Sequence, residues 1–290
     1  MERKGIILAG GKGTRLYPLT KVVSKQLLHV YDKPMIYYPL SLLMLANIRE
    51  TLIISTPHDL PKYQELLGDG SHLGLNLSYK IQEAPRGLPE AFILAEEFLK
   101  GSPSALILGD NIFFGFGLQT LLANASQNRN GMGVFTYTVR DPREYGVIEV
   151  DSQGKVLSIE EKPQHPKSNL ALTGLYFCDG QASTFSNNLK PSDRGELEII
   201  DLMRKYHTQN QLKMYSFGRG SAWLDTGNPD SLLDASNFIA TIERRQGFKI
   251  ACLEEIAFDK KWIDEATLKK SIDYQGNSSY GKYLCSLLGK

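Results

Sequence analysis

Gly5-Ile6-Ile7-Leu8-Ala9 runs without a break into Gly10-Gly11-Lys12-Gly13-Thr14-Arg15-Leu16, and this junction restricts the fold more than any other stretch. Four apolar residues bounded by glycines predict a short buried strand. The glycines after it let the backbone turn sharply and come close to a ligand. A strand that ends in such a turn has the grammar of a phosphate cradle. It differs from the dinucleotide fingerprint, which needs a third glycine opening a helix, and from the P-loop, in which Ser or Thr follows Gly-Lys. Taken alone, glycines in this density also make plain tight turns.

The following residues predict alternating strands and helices. Pro34 stands where a helix can start, and residues 35–46 carry apolar side chains at helical spacing. Residues 51–55 predict a strand, Asp59 an N-cap for a helix reaching residue 67, and 77–81 another strand. After a loop at 82–87, a helix is predicted over 89–99 and a buried strand over 105–108, ending at Gly109-Asp110-Asn111. Such alternation implies βαβ units and a mainly parallel sheet, with ligands at the carboxyl ends of the strands. The glycine loop and Asp110 both fall there. Beyond residue 131 the pattern changes to strands at 134–139, 146–150, 155–161 and 173–178, with turn signals that imply antiparallel or mixed pairing. Helices are predicted at 195–207, 229–246, 265–274 and 280–288, and a strand at 212–217.

The chain of 290 residues shows no internal repeat, low-complexity tract or linker. It reads as one α/β domain, its two halves at about 1–130 and about 131–230, with a C-terminal helical appendage over about 231–290. The formal charge of +1 predicts no affinity for nucleic acid or a membrane surface through bulk electrostatics. Four apolar residues after Met1-Glu2-Arg3-Lys4 fall short of a signal peptide, and no run approaches a membrane span. Cys178, Cys252 and Cys285 are odd in number and widely spaced, which indicates neither a disulfide framework nor a zinc site. The expected compartment is the cytoplasm.

Asp110 closes a hydrophobic strand, where a carboxylate is costly unless paired, hydrated or bound to metal. Asp225 ends the run Ala222-Trp223-Leu224-Asp225 before a turn. Two carboxylates at strand ends can hold one Mg2+, which takes one or two carboxylates, waters and substrate phosphates. Each by itself also reads as a turn aspartate. Arg15 offers a bidentate fork and Lys25 a point charge for a polyphosphate. Glu161 and Lys162, side by side, supply a hydrogen-bond acceptor and a cation. The same pair equally suits a solvated strand face. The five histidines fall in no metal-ligand spacing.

The opening glycine loop, with Tyr17-Pro18-Leu19-Thr20 and Ser24-Lys25-Gln26-Leu27-Leu28, closely resembles that of the sugar-1-phosphate nucleotidyltransferases. Tyr31-Asp32-Lys33-Pro34-Met35-Ile36-Tyr37-Tyr38-Pro39-Leu40 narrows the resemblance to the glucose-1-phosphate thymidylyltransferases. It continues through Tyr145-Gly146, Glu160-Glu161-Lys162-Pro163, Thr173-Gly174-Leu175-Tyr176 and Asp193-Arg194-Gly195-Glu196-Leu197-Glu198, nearly to the C-terminus. The resemblance implies a Rossmann-like, mixed but mainly parallel sheet of the nucleotide-diphospho-sugar transferase type. It implies a single displacement in which α-D-glucose 1-phosphate attacks the α-phosphorus of dTTP, giving dTDP-glucose and pyrophosphate, typically for dTDP-rhamnose synthesis.

Residue by residue, the resemblance makes Asp110 and Asp225 the Mg2+ ligands and puts Arg15 and Lys25 on the nucleoside triphosphate. Leu8, Gly10, Gly11, Gly13, Thr14, Gln26, Gln82, Gly87 and Asp110 line the nucleotide, with Gln82 and Gly87 on the base. Tyr145, Gly146, Glu161, Leu172, Tyr176 and Trp223 surround the sugar, and Lys162 and Arg194 approach its phosphate. Trp223 also fits a core position. A homotetramer built from dimers is the implied assembly. The chain departs from the family at His29, usually proline, at Leu170, commonly tyrosine, and at Pro85-Arg86-Gly87-Leu88-Pro89-Glu90-Ala91, where relatives are closer to Pro-Asp-Gly-Leu-Ala-Gln-Ala. A glycosyltransferase reading would need an Asp-x-Asp motif where this chain has Gly109-Asp110-Asn111. A non-catalytic nucleotide-sugar binder would be favoured if Arg15, Lys25, Asp110 or Asp225 were missing, and all are present.

Overall fold

Ile6 and Ile7 are both fully buried, yet they belong to different cores, because successive side chains of a strand point to opposite faces. Both lie on β1 (Lys4–Leu8) of a computed structural model that describes residues 1–289. After β1 come the short β2 (His29–Val30) and β3 (Lys33–Pro34), α1 (Tyr37–Leu45), β4 (Glu50–Ser55), α2 (Leu60–Leu67) and β5 (Asn76–Ile81). Next are α3 (Glu90–Leu94), α4 (Glu96–Leu99), β6 (Ser104–Leu108), β7 (Asn111–Gly115) and α5 (Leu118–Gln127). The second half adds β8 (Met132–Thr138), β9 (Gly146–Val150), β10 (Val156–Glu161), β11 (Leu170–Cys178), α6 (Ala182–Asn187), α7 (Ile199–Thr208), β12 (Leu212–Ser216) and β13 (Ser221–Asp225). The chain closes with α8 (Pro229–Gln246), α9 (Leu253–Asp259), α10 (Glu265–Gln275) and α11 (Ser279–Leu287).

Among the described residues nine strands form one mixed sheet, ordered β10-β9-β11-β6-β1-β4-β5, with β8 on β11 and β12 on β8. β6, β1, β4 and β5 run parallel, whereas β11 is antiparallel to β6, β8 and β9. Both faces are covered, as a parallel sheet requires. Ile7, Ile53, Ile107 and Phe177 face α1, α2, α5 and the C-terminal helices. Ile6, Leu52, Leu106 and Tyr176 face α3, α4, α6 and α7. The residues of α1 from Tyr38 to Met44 are all buried, so this helix is apolar all round. The C-terminal helices contribute Leu253, Ala257, Leu268, Leu284 and Leu287 to the same core.

Several local expectations are corrected. Lys33 and Pro34 form a strand instead of opening a helix, because they pair with Val30 and His29. Asp59 stands at the start of α2 but does not cap it; its carboxylate is taken by Thr56, His58 and Lys62. The helix expected over 89–99 divides at the fully buried Ala95, whose ψ relaxes to −2°. The helix expected from residue 195 begins at Ile199, because the preceding residues form a turn in which Ser192 N–H donates to Glu196 O (2.8 Å).

The β2–β3 hairpin is tied to the end of α8 by buried charges. Lys33, 2% exposed in its side chain, bonds Glu243 at 2.9 Å and pairs with Asp32. Lys249 also pairs with Asp32 and lies 3.4 Å from Glu243, which accepts the Ile250 N–H at 2.8 Å. Burial alone pushes the Asp32 carboxyl up, but Lys33 and Lys249 outweigh it and hold the group below the usual carboxylate value. A depressed carboxylate stabilises the fold above its unfolded pKa, and that contribution is lost as pH falls through the folded one. Asp32→Asn is therefore expected to cost about 3 kcal/mol at pH 7. Urea unfolding of the variant and the parent will show the difference shrinking below about pH 4 and closing in stronger acid.

Candidate active site

Parallel β1, β4 and β6 bring their carboxyl ends to one edge of the sheet, and the glycine loop leaves from there. Ala9 N–H donates to Ile54 O (2.8 Å), Ser55 Oγ–H to Ala9 O (2.8 Å) and Gly109 N–H to Leu8 O (2.9 Å). The turn is thus fixed to both neighbouring strands. Gly10 is required by proximity, since a Cβ there would lie 2.7 Å from Gln82 Oε1. Gly13 is required by conformation: its φ of 57° is left-handed, and it heads the single turn Thr14–Leu16. Thr20 Oγ1–H donates to the Gly13 carbonyl (2.7 Å). The Arg15 guanidinium lies over Gly227, where a Cβ would be 3.2 Å from Nη2.

Asp110 lies between β6 and β7, and Asp225 ends β13. Antiparallel pairing of β13 with β7 sets Asp225 opposite Asn111 and so beside Asp110. Lys25, 7% exposed, is ion-paired with Asp110 Oδ2, and Asn111 Nδ2–H donates to Oδ1 (3.0 Å). Burial, and then the Asp110 charge, push the Asp225 carboxyl above its ordinary value, against the pull of Lys25, Arg15 and Lys162. Two carboxylates crowded in this way favour a shared cation. Among the described residues no group of three or more His, Cys, Asp or Glu is arranged to hold a metal ion by itself. An oxygen pair of this kind suits Mg2+, which keeps waters and takes substrate oxygens for the rest of its shell.

The opposite wall comes from the second half. Tyr145 and Trp223 rings meet at 5.1 Å with their planes inclined at 60°, and Trp223 Nε1–H donates to Asn111 Oδ1 (2.6 Å). Gly146 is close-packed: a Cβ would lie 2.9 Å from Leu172 and 3.4 Å from Glu161 Oε2. Lys162 adopts a left-handed φ of 44° and donates its N–H to Tyr145 O (3.0 Å), which turns the chain directly after Glu161. Partial desolvation, opposed by Lys162, raises the Glu161 carboxyl. Arg194 is exposed and bonded to Glu198 (3.0 Å), which also accepts from Ser192 Oγ–H (2.7 Å).

These walls enclose a cleft of about 500 Å3 and an adjoining bay of about 200 Å3 that shares Gly10, Gly11, Arg15 and Asp110 with it. Leu8, Gln82, Gly87, Asp225, Tyr145, Gly146, Glu161, Lys162, Leu172, Tyr176, Arg194 and Trp223 line the cleft. Gly13, Thr14, Lys25 and Gln26 line the bay. All the residues singled out from sequence thus meet at one place. Several are already engaged by other side chains: Arg194 is held by Glu198, Lys25 by Asp110, Gln82 by Glu90, the Trp223 indole by Asn111, and Gln26 Oε1 accepts from Ser24 (2.9 Å) and Tyr63 (3.3 Å). Trp223, open between two readings, lines the cleft.

Sequence reasoning missed Asn111, 3% exposed, although it stands beside Asp110. Its Oδ1 accepts from Gly174 N–H (3.1 Å) as well as from Trp223. It also missed Glu198, the partner of Arg194, and Glu90, whose Oε2 accepts from Gln82 Nε2–H (2.7 Å) and Arg86 N–H (3.2 Å). Acid residues next to predicted ligands were the available signal in both cases.

A nucleotidyl transferase family model matches residues 4–242. A glucose-1-phosphate thymidylyltransferase of Xanthomonas campestris pv. campestris (strain B100) is 56% identical over 286 residues, covering 99% of this chain and 97% of that protein. The glucose-1-phosphate thymidylyltransferase of Neisseria gonorrhoeae is 53% identical over 287 residues, covering 99% and 100%. Among solved structures, UDP-glucose pyrophosphorylase complexed with UDP-glucose superposes with a TM-score of 0.72 at 25% identity, covering 84% of this chain and 100% of that one. With its mixed α/β sheet of the nucleotide-diphospho-sugar transferase fold, the chain belongs to the nucleotidyl transferase family and, within it, to the glucose-1-phosphate thymidylyltransferases.

Proposed function

We propose that this chain transfers a thymidylyl group from dTTP to α-D-glucose 1-phosphate and releases pyrophosphate and dTDP-glucose. The observation that carries this reading is the meeting of a glycine cradle, two cations and two carboxylates in one cleft, opposite a wall of hydroxyl acceptors. The glycine loop with Arg15 and Lys25 receives the triphosphate, and Gln82 and Gly87 meet the base. Glu161 accepts from sugar hydroxyls, Leu172 and Tyr176 pack behind the ring, and Lys162 takes the sugar phosphate.

A sugar 1-phosphate, like other phosphate monoesters with a second pKa near ~6, is largely dianionic at pH 7 and attacks without a general base. The work left to the protein is alignment and charge neutralisation. Lys162 offsets repulsion between the two anions as the attacking oxygen nears the α-phosphorus. Arg15 and Lys25 stabilise the charge that gathers on the leaving pyrophosphate. Asp110 and Asp225 would hold Mg2+, which supplies Lewis-acid polarisation of the α-phosphate. We place the reaction in the cytoplasm, in keeping with unpaired Cys178, Cys252 and Cys285. We take the working form to be a homotetramer, for which fully exposed Phe116 offers apolar contact surface.

Pyrophosphate release from purified protein, measured with five nucleoside triphosphates and several sugar 1-phosphates, tests the reading. It is expected to be fastest with dTTP and glucose 1-phosphate and to stop on chelation of divalent ions; release with no pair would sink it. Asp110→Asn and Asp225→Asn are each expected to lower kcat by roughly 100-fold or more. Asp225→Asn should also melt no lower than the parent in EDTA, since it relieves carboxylate crowding, and should lose the thermal upshift that Mg2+ with dTTP gives the parent. Lys162→Ala is expected to raise KM for glucose 1-phosphate roughly tenfold with a small effect on KM for dTTP, checked by varying one substrate at a time.

A further inference from the structure

Gln82 directly follows β5 beside the glycine loop, with its backbone N–H on Ser55 O (2.8 Å), and it is 5% exposed. Its side chain reaches the cleft wall next to Gly10, so close to that backbone that Oε1 fills the space of a Gly10 Cβ. An amide in such a position has two faces of opposite sense. With Oε1 toward the cleft it accepts from a ring N–H; turned over, it presents N–H groups to a ring acceptor. An unanchored glutamine can therefore read either kind of pyrimidine edge.

Glu90, 9% exposed at the start of α3, removes that freedom. One carboxylate oxygen accepts both Gln82 Nε2–H (2.7 Å) and the Arg86 N–H (3.2 Å). A carboxylate has no proton to donate, so only one amide orientation satisfies it; the reverse sets two oxygens against each other in a buried place. We infer that Glu90 is a positioning residue for base selection, holding the Gln82 amide with Oε1 on the cleft side so that the site takes pyrimidines whose N3 carries a proton. Thymine and uracil do; in cytosine N3 is an acceptor that faces Oε1 without a hydrogen between them. The Arg86 N–H shares the same oxygen, so the loop leading to Gly87 is fixed together with the amide. The inference deepens the proposed reaction and rests on Gln82 meeting the base.

The test compares kcat/KM for dTTP, UTP and CTP in the parent, Glu90→Leu, Glu90→Gln and Gln82→Leu. Glu90→Leu is expected to reduce the dTTP-to-CTP ratio by roughly 10- to 100-fold and to leave the dTTP-to-UTP ratio within about twofold, since both bases carry the N3 proton. Glu90→Gln keeps a carbonyl acceptor and should retain most of the discrimination. If Glu90→Leu does not fold, Glu90→Asp, which withdraws the carboxylate by one methylene, takes its place with the same expectation. A dTTP-to-CTP ratio unchanged in the Glu90 variant but lowered in Gln82→Leu overturns the positioning role alone. An unchanged ratio in Gln82→Leu overturns the base contact and the inference with it. A parallel loss for all three nucleotides in Glu90→Leu marks a purely structural role and also overturns it.

Discussion

The side-chain amide of Asn111 is the contact on which the geometry of the centre depends. It is almost fully buried, and each of its polar atoms is used: Oδ1 accepts from the Gly174 N–H and the Trp223 indole, and Nδ2 donates to Asp110. Those partners belong to β11, β13 and the β6–β7 junction, three segments far apart in sequence. A buried network with every member satisfied specifies one arrangement, because any shift leaves a polar group unpaired at a cost of about 1–3 kcal/mol. The distance between Asp110 and Asp225 is set by this lock together with the β7–β13 pairing. Thr226 adds a second clamp, since its hydroxyl donates to Asp110 O at 3.0 Å.

The cleft has two walls of different origin, and the chain fixes one to the other at backbone level. Gly87, on the nucleotide side, bridges in parallel to Leu197 on the sugar side, and Leu197 N–H donates to Arg86 O (2.8 Å). A Cβ at Gly87 would lie 2.0 Å from Leu197 O, so only glycine permits this approach. β11 is the second tie: its C-terminal half pairs with β6 of the first half, and its start pairs with β9 beneath Gly146. On the proposed reading, two substrates bound on opposite walls would meet across a distance that the sheet itself sets, as a reaction limited by alignment demands.

Much of this is legible in the sequence. The alternation of strands and helices up to β6 follows from local apolar periodicity, and α8 appears with the predicted bounds of Pro229–Gln246, marked by an Asn228 capping box, a proline at its first turn and a terminal Gly247. The glycine loop, Asp110, Asp225, Arg15 and Lys25 are legible because glycine turns and charged strand ends leave a local trace, whereas Gln82, Gly87, Tyr145, Gly146, Leu172 and Tyr176 are named only through the family resemblance. What escaped was fixed by distant partners. β7 follows β6 after only Gly109 and Asp110, so the two strands merge in a linear reading, and β7 exists because β13 pairs with it. α9 packs on α1 through Leu253 and Ala257 and carries too few residues to announce a period. Asn111, Glu90 and Glu198 are ordinary polar residues in sequence, and only their partners make them part of the site.

Two of the cleft's cations come already paired. Lys25 rests on Asp110 and Arg194 on Glu198, so the cleft gathers cations without a net basic field, in keeping with a chain whose formal charge is +1. Such cations are kept extended and ready by carboxylates that belong to the same site. Two unit charges 4 Å apart attract by about 4 kcal/mol at an effective dielectric of 20, and an incoming phosphate with more than one negative charge competes well for either cation. On the proposed reading, such an exchange would release Asp110 from Lys25 as phosphate oxygens arrive beside it. If Asp110 and Asp225 hold a divalent cation as proposed, Asp110 freed from Lys25 would be available to it only once phosphate is bound, and nucleotide and metal binding would be coupled through Lys25.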